Sequence, residues 1–135
     1  MKLSIHTTID APLSKVWDYY NDPNHIMLWN HASDDWTCLL AKNDLRVGGV
    51  FSSRMEAKDG SSGFNFGGTY TVVIPNERIT YTMADGRVAE TDFSEVDGKT
   101  NVVTTFDAEK ENPEEMQRNG WQAILNNFKK HVESN

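Results

Sequence analysis

The sequence predicts an α+β domain in which a curved antiparallel sheet of about six to seven strands wraps a long C-terminal helix, with two short helices after strand 1. Three observations carry this. Trp121, Ile124, Leu125, Phe128 and Val132 fall within about 100° of arc at the helical period, a one-sided apolar helix. From residue 34 to residue 106 the chain alternates apolar with polar residues. Three Asp-Gly pairs, at 59–60, 85–86 and 97–98, punctuate this stretch, and such pairs are a strong hairpin signal. Ahead of it, two Pro-initiated segments each carry a short apolar stripe.

The elements follow in order. Leu3–Ile9 alternates and is rich in β-formers, a strand with one buried face. Asp10-Ala11-Pro12 opens a helix in which Leu13, Val16, Trp17 and Tyr20 share one stripe. Asn21-Asp22-Pro23 breaks it, and Asp22-Pro23 caps a second short helix holding Ile26, Met27, Leu28 and Trp29. Trp36, Cys38 and Leu40 alternate with Thr37 and Leu39. Strands are then expected at Val50–Glu56, Phe64–Ile74, Ile79–Met83, Val88–Val96 and Thr100–Phe106. Asn112 is expected to cap the last helix, with Pro113 at its first position and Glu115 closing a capping box. No repeat, linker or low-complexity tract interrupts the chain, so residues 1–135 form one domain.

Period two assigns the faces. One face collects Phe51, Ser53 and Met55; Phe64, Phe66, Tyr70, Val72 and Ile74; Ile79, Tyr81 and Met83; Ala89, Thr91 and Phe93; and Val102, Thr104 and Phe106. The other face carries Asn65, Thr69, Thr71, Thr80, Thr82, Glu90, Asp92, Asn101 and Thr105. The first face is apolar but sprinkled with small hydroxyls, and it must meet the apolar arc of the last helix.

Composition narrows the function. A net charge of −7 and no basic cluster argue against nucleic-acid or anionic-membrane binding. One cysteine, Cys38, excludes an internal disulfide and fits a reducing cytoplasm, and its register with Trp36 makes it a buried, inert thiol. No signal peptide or membrane-spanning stretch is evident, so a cytoplasmic location is expected. Histidines 6, 25, 31 and 131 lack metal-ligand spacing, and no cofactor motif or nucleophile elbow occurs. His31, beside Trp29 and Asn30, stands near the expected cavity mouth, where it can orient a polar group or simply bond to backbone. Gly48-Gly49 and Gly67-Gly68 are expected to let the sheet bend. Arg54 and Glu56 are expected to pair on the solvent face, and Arg87 shares parity with Ala89 and points inward at the rim.

Several motifs together resemble the SRPBCC superfamily, START-like and polyketide-cyclase-like. Within it the chain is similar to the branch of the C-terminal domain of the activator of the heat-shock-protein-ninety ATPase. They are Ile9-Asp10-Ala11-Pro12 through Val16-Trp17, Pro23 to Trp29, Leu45-Arg46-Val47-Gly48-Gly49, and Met55-Glu56-Ala57-Lys58-Asp59-Gly60. Gly67-Gly68-Thr69-Tyr70, Ile79-Thr80-Tyr81 and Gly120-Trp121-Gln122-Ala123-Ile124-Leu125 complete the set. The resemblance covers essentially the whole chain. It implies a helix-grip fold with a cavity between sheet and helix. The functions it implies are diverse: lipid carriers, hormone receptors, cyclases, resistance proteins and cochaperone domains.

Two functional classes follow. The first is binding of a small lipophilic or aromatic ligand in the cavity. Its expected lining is Trp29, His31, Trp36, Phe51, Ser53, Met55, Phe66, Tyr70, Tyr81, Thr91, Phe93, Thr104, Phe106, Gln117 and Trp121. Ser53, Thr91 and Thr104 matter because buried hydroxyls cost free energy unless partnered, and a pocket supplies partners. The ordinary alternative for this aromatic set is a solid core. The second class is a chaperone-activator-like interaction module with such a core and an exposed patch. An enzyme of cyclase or hydrolase type using His31 or an inward acid has the least support, and no catalytic residue, metal site or cofactor is assigned. The mouth is expected between Trp29 and the start of the last helix, with polar Gln117 at its rim. Gly120-Trp121 is expected to be the closest helix-to-sheet approach.

Overall fold

The computed structural model describes residues 1–135. The chain runs β1 (Lys2–Ile9), α1 (Leu13–Asn21), α2 (Pro23–Trp29), β2 (Trp36–Asn43), β3 (Val50–Ala57), β4 (Gly63–Ile74), β5 (Arg78–Met83), β6 (Val88–Val96), β7 (Lys99–Asp107) and α3 (Glu114–Ser134). The seven strands form one antiparallel sheet in the order β1-β7-β6-β5-β4-β3-β2. Every strand from β2 to β7 pairs with its neighbour in sequence, while β1 closes on β7. This is the helix-grip arrangement that the sequence predicts.

Local chemistry explains most boundaries. In β1 the alternation is complete, with Leu3, Ile5, Thr7 and Ile9 buried and the residues between them exposed. The Asp22 carboxylate caps α2 by accepting from the Asn24 N–H at 2.9 Å. Asp97 and Gly98 both have positive φ, 52° and 78°, and form the two-residue turn between β6 and β7. The Asp-Gly pairs at 59–60 and 85–86 sit in longer connections. At Gly68 a Cβ would stand 2.8 Å from the Thr82 carbonyl and 3.0 Å from the Tyr81 ring. Its bare Cα therefore lets the Phe51 and Tyr81 rings meet edge to face at 4.7 Å.

Three expectations are corrected. Register slips at Leu39, so Cys38 and Ala41 are buried while Leu39 and Leu40 both face out. A second slip, between Tyr70 and Val72, changes the phase of β4. Val73, opposite Ile79, then packs on the core, and Val72 and Ile74 lie on the outer face. A bulge adds one residue and flips parity beyond it, which periodicity alone cannot reveal. The capping box is also absent: Pro113 stands at the cap position of α3 without a side-chain cap bond. Asn112 instead bonds Glu109 through its backbone and side-chain N–H groups.

The main core lies between the sheet and the C-terminal half of α3. Phe128 and Val132 meet Ile9, Val102 and Phe106 there, all fully buried, with α1 closing the end through Val16 and Trp17. A smaller cluster of Cys38, Ala41 and Met55 lies under α2. Along its polar flank α3 guards the free edge of β1, where the Gln122 side-chain amide donates to the His6 carbonyl at 3.1 Å.

Candidate ligand cavity

The N-terminal half of α3 stands away from the sheet. Between them, and under α2, lies a cavity of about 440 Å³. Its floor comes from the inward faces of β3, β4 and β5: Phe51, Ser53 and Met55, then Phe66 and Tyr70, then Ile79 and Tyr81. Ile5 and Thr104 extend the floor toward β1 and β7. Trp121, Ile124 and Leu125 form the roof, and Tyr20, Ile26 and Trp29 close the side toward α1 and α2. The exposed residues Ala32, Lys42, Phe64, Asn112 and Met116 mark where the lining meets solvent.

Gly120 explains why there is space. A Cβ built there meets nothing within 4 Å, and the residue lines the cavity. The expectation of a close helix-to-sheet approach at Gly120 is therefore wrong. Contact begins one residue later, where the Trp121 ring stacks on Phe106 at 3.9 Å and 5°. The missing side chain at residue 120 leaves that volume open between helix and sheet.

Each predicted lining residue has a definite place. Trp29, Phe51, Ser53, Met55, Phe66, Tyr70, Tyr81, Thr104, Gln117 and Trp121 border the cavity. Phe106 is screened from it by the Trp121 stack. Phe93 lies beneath Trp17 and Tyr20, at 5.2 and 5.3 Å, and belongs to the sealed core. Thr91 is likewise buried, its hydroxyl bonded to that of Thr104 at 2.9 Å. These two hydroxyls satisfy each other, so they need no ligand. Trp36 packs with Phe64 at 5.7 Å, beside the small cluster under α2. His31 does not border the cavity; its carbonyl accepts from the Asn127 side chain, which ties the α2–β2 loop to α3.

Gln117 stands at the rim, yet its polarity is spent on the preceding loop. Its Oε1 accepts from the Glu109 N–H at 2.8 Å, and its Nε2 donates to the Asn112 carbonyl at 2.8 Å and the Glu109 carbonyl at 3.2 Å. This clamp, rather than a capping box, fixes the start of α3.

The polar wall is a tyrosine cluster. The Tyr70 hydroxyl donates to Asn43 Oδ1 at 2.6 Å; Asn43 Nδ2 donates to the Asn21 carbonyl, and Asn21 Nδ2 to the Trp17 carbonyl. The chain thereby couples β4, β2 and α1. Tyr20 contacts Thr91 Oγ1 at 3.5 Å. Tyr81 makes no hydrogen bond within the protein; it packs edge-on against Phe51. Burial pushes all three phenols above their ordinary value, and the proximity of Tyr20 adds to the shift at Tyr70 and Tyr81. They are neutral hydrogen-bond donors throughout the physiological range. Burial also pushes the Cys38 thiol up, against the opposing Ser53 hydroxyl, consistent with an inert cysteine. Arg87 borders the cavity at the rim, as its parity predicts, with its Nε on Asp85 at 2.7 Å.

The sequence gives no warning of one further cluster. His25 Nδ1 and His131 Nε2 meet at 2.9 Å across 106 residues, and Tyr19 stacks on His25 at 3.8 Å. The contact joins α2, which closes one side of the cavity, to the end of α3.

Comparison with known proteins agrees with this architecture. The model of the family described as "Activator of Hsp90 ATPase homolog 1-like protein" matches residues 10–133. The chain belongs to that family. Among solved structures, an AHSA1-like protein from Aeromonas hydrophila is 46% identical, with a TM-score of 0.94 over 99% of this chain and 93% of that one. A protein from Cytophaga hutchinsonii is 47% identical, with a TM-score of 0.86 over 98% and 92% of the two chains. A protein from Chromobacterium violaceum shares the fold at 24% identity and a TM-score of 0.88, covering 98% of each chain. A comparison with curated proteins returned no match. Within the family's fold, this chain offers either a ligand-binding or an activator-like module. No helix is long and apolar enough to cross a membrane.

Proposed function

We propose that this chain reversibly binds a small aromatic or lipophilic molecule between the sheet and α3, without chemical turnover. The observation that carries the reading is the cavity of about 440 Å³ beneath Trp121, with apolar walls and few polar groups. Ligand pockets typically fall at about 300–1,000 Å³ and have this composition. A thermal-shift screen of aromatic and lipophilic metabolites tests it. A compound held only by the folded state at a hundred times its dissociation constant adds about 2.7 kcal/mol of stability. Stabilisation by at least one compound, abolished in Gly120→Leu, is the expected result. A screen in which nothing stabilises the folded chain overturns the reading.

A second reading rests on the family's description: an interaction module that acts on a chaperone ATPase. Here the cavity is incidental, and Gly120→Leu leaves the activity intact. Measuring the ATPase rate of an Hsp90-type chaperone with wild type and Gly120→Leu separates the two.

A further inference from the structure

The polar groups around the cavity are not free in equal measure, and the imbalance points to one chemistry. Tyr70 is committed to Asn43, and the Gln117 amide to its loop. Glu109, the one acid in the lining, already accepts from Asn112. Tyr81 is different. It is 7% exposed, its ring is held by Phe51 and Phe66, and its hydroxyl has no partner in the protein. Arg87 stands two residues before Ala89, the cross-strand partner of Tyr81, and borders the same cavity. A guanidinium carries five N–H donors, and Asp85 takes the Nε. The lining holds two cations, Arg87 and the exposed Lys42, and one acid, Glu109, while Asp85 outside it pairs with Arg87. The Tyr81 hydroxyl and the remaining N–H groups of Arg87 are therefore unpaired and able to donate.

Resting on the ligand-binding reading above, we infer that the ligand is an amphiphile with one anionic acceptor head, a carboxylate, seated against Tyr81 and Arg87. Its apolar body lies along Phe51, Phe66 and Trp121. A carboxylate accepts from both donors at once, and charge-assisted bonds in a desolvated site are the strong kind. An ammonium head gains no acceptor there and meets the guanidinium charge.

A matched series tests this by calorimetry: 2-naphthylacetate, 2-(2-naphthyl)ethanol, 2-(2-naphthyl)ethylammonium and 2-ethylnaphthalene. The acid is expected to bind roughly tenfold more tightly than the alcohol, with the ammonium weakest. Tyr81→Phe and Arg87→Gln should each remove most of that advantage and leave 2-ethylnaphthalene unchanged, which also certifies that the variants fold with an intact cavity. Equal binding of acid and hydrocarbon, or an acid advantage surviving both substitutions, overturns the head-group inference while the lipophilic cavity stands. Failure of all four to bind the folded protein overturns both.

Discussion

The two ends of α3 face the same sheet with the same kinds of residue and do opposite things. At the C-terminal end Phe128 and Val132 are completely buried against Ile9, Val102 and Phe106. At the N-terminal end Trp121 and Ile124 are half-buried, and beside them Gly120 leaves an opening. What separates a core from a cavity here is not aromatic content. It is whether a side chain has a neighbour on its far side. Phe93 has Trp17 and Tyr20 above it, whereas Phe66, flanked by Phe51 and Tyr81, meets the helix only through the edge of Trp121 at 6.1 Å and borders the cavity.

The sharpest test of this contrast is truncation at both ends. Phe128→Ala should cost about 3–5 kcal/mol, because a sealed site cannot collapse around the hole. Phe66→Ala should cost less, about 1–2 kcal/mol, because part of that ring already faces a void. Urea unfolding measures both; equal costs erase the distinction. Next in size, Gly120→Leu should raise stability by about 0.5–1 kcal/mol through helix propensity, with the new side chain entering open space. Ligand binding should vanish in the same variant. A loss of 1–3 kcal/mol instead would mean overpacking and a helix closer to the sheet than described.

The smallest effect concerns the histidine latch. His131 titrates below its ordinary value because of burial first, then the charges of His25 and Lys15. Tyr19 stacks on His25, and the Asn135 side-chain amide lies 3.3 Å from His131 Nδ1. A histidine with a depressed value binds its proton more readily in the unfolded chain. Its contribution is full above the unfolded value of 6.5 and is lost as pH falls below that, through the folded value. Wild type should therefore lose more thermal midpoint than His131→Gln between about pH 7.5 and pH 5.5. Parallel losses in the two proteins would show that the latch carries none of the acid sensitivity.

Element order was legible because its signals are local: the Asp22-Pro23 cap, the Asp97-Gly98 turn and the arc from Trp121 to Val132. Inward residues were legible wherever alternation ran unbroken, as in β6 and β7. The bulges at Leu39 and Thr71 were not, since an extra residue leaves composition unchanged and alters only phase. Cavity and core were inseparable for another reason. Parity says that Phe66 and Phe93 both face inward, but not which one has a ring lying over it. Gly120 shows the same ambiguity, because a glycine can mark either close contact or vacancy. The His25–His131 pair depends on two helices meeting end to side, which no local spacing encodes.

The slip at Thr71 has a meaning beyond register. It divides β4 into two stretches under different constraints. Ahead of it, Phe66 and Tyr70 border free volume; behind it, Val73 packs into the closed interior. Side chains on the first stretch can change size by reshaping the hollow, whereas those on the second must match neighbours already in contact. One continuous strand thus carries a tolerant segment and an intolerant one, joined at a single residue. Cavity shape can drift along the first without disturbing the packing that the second secures.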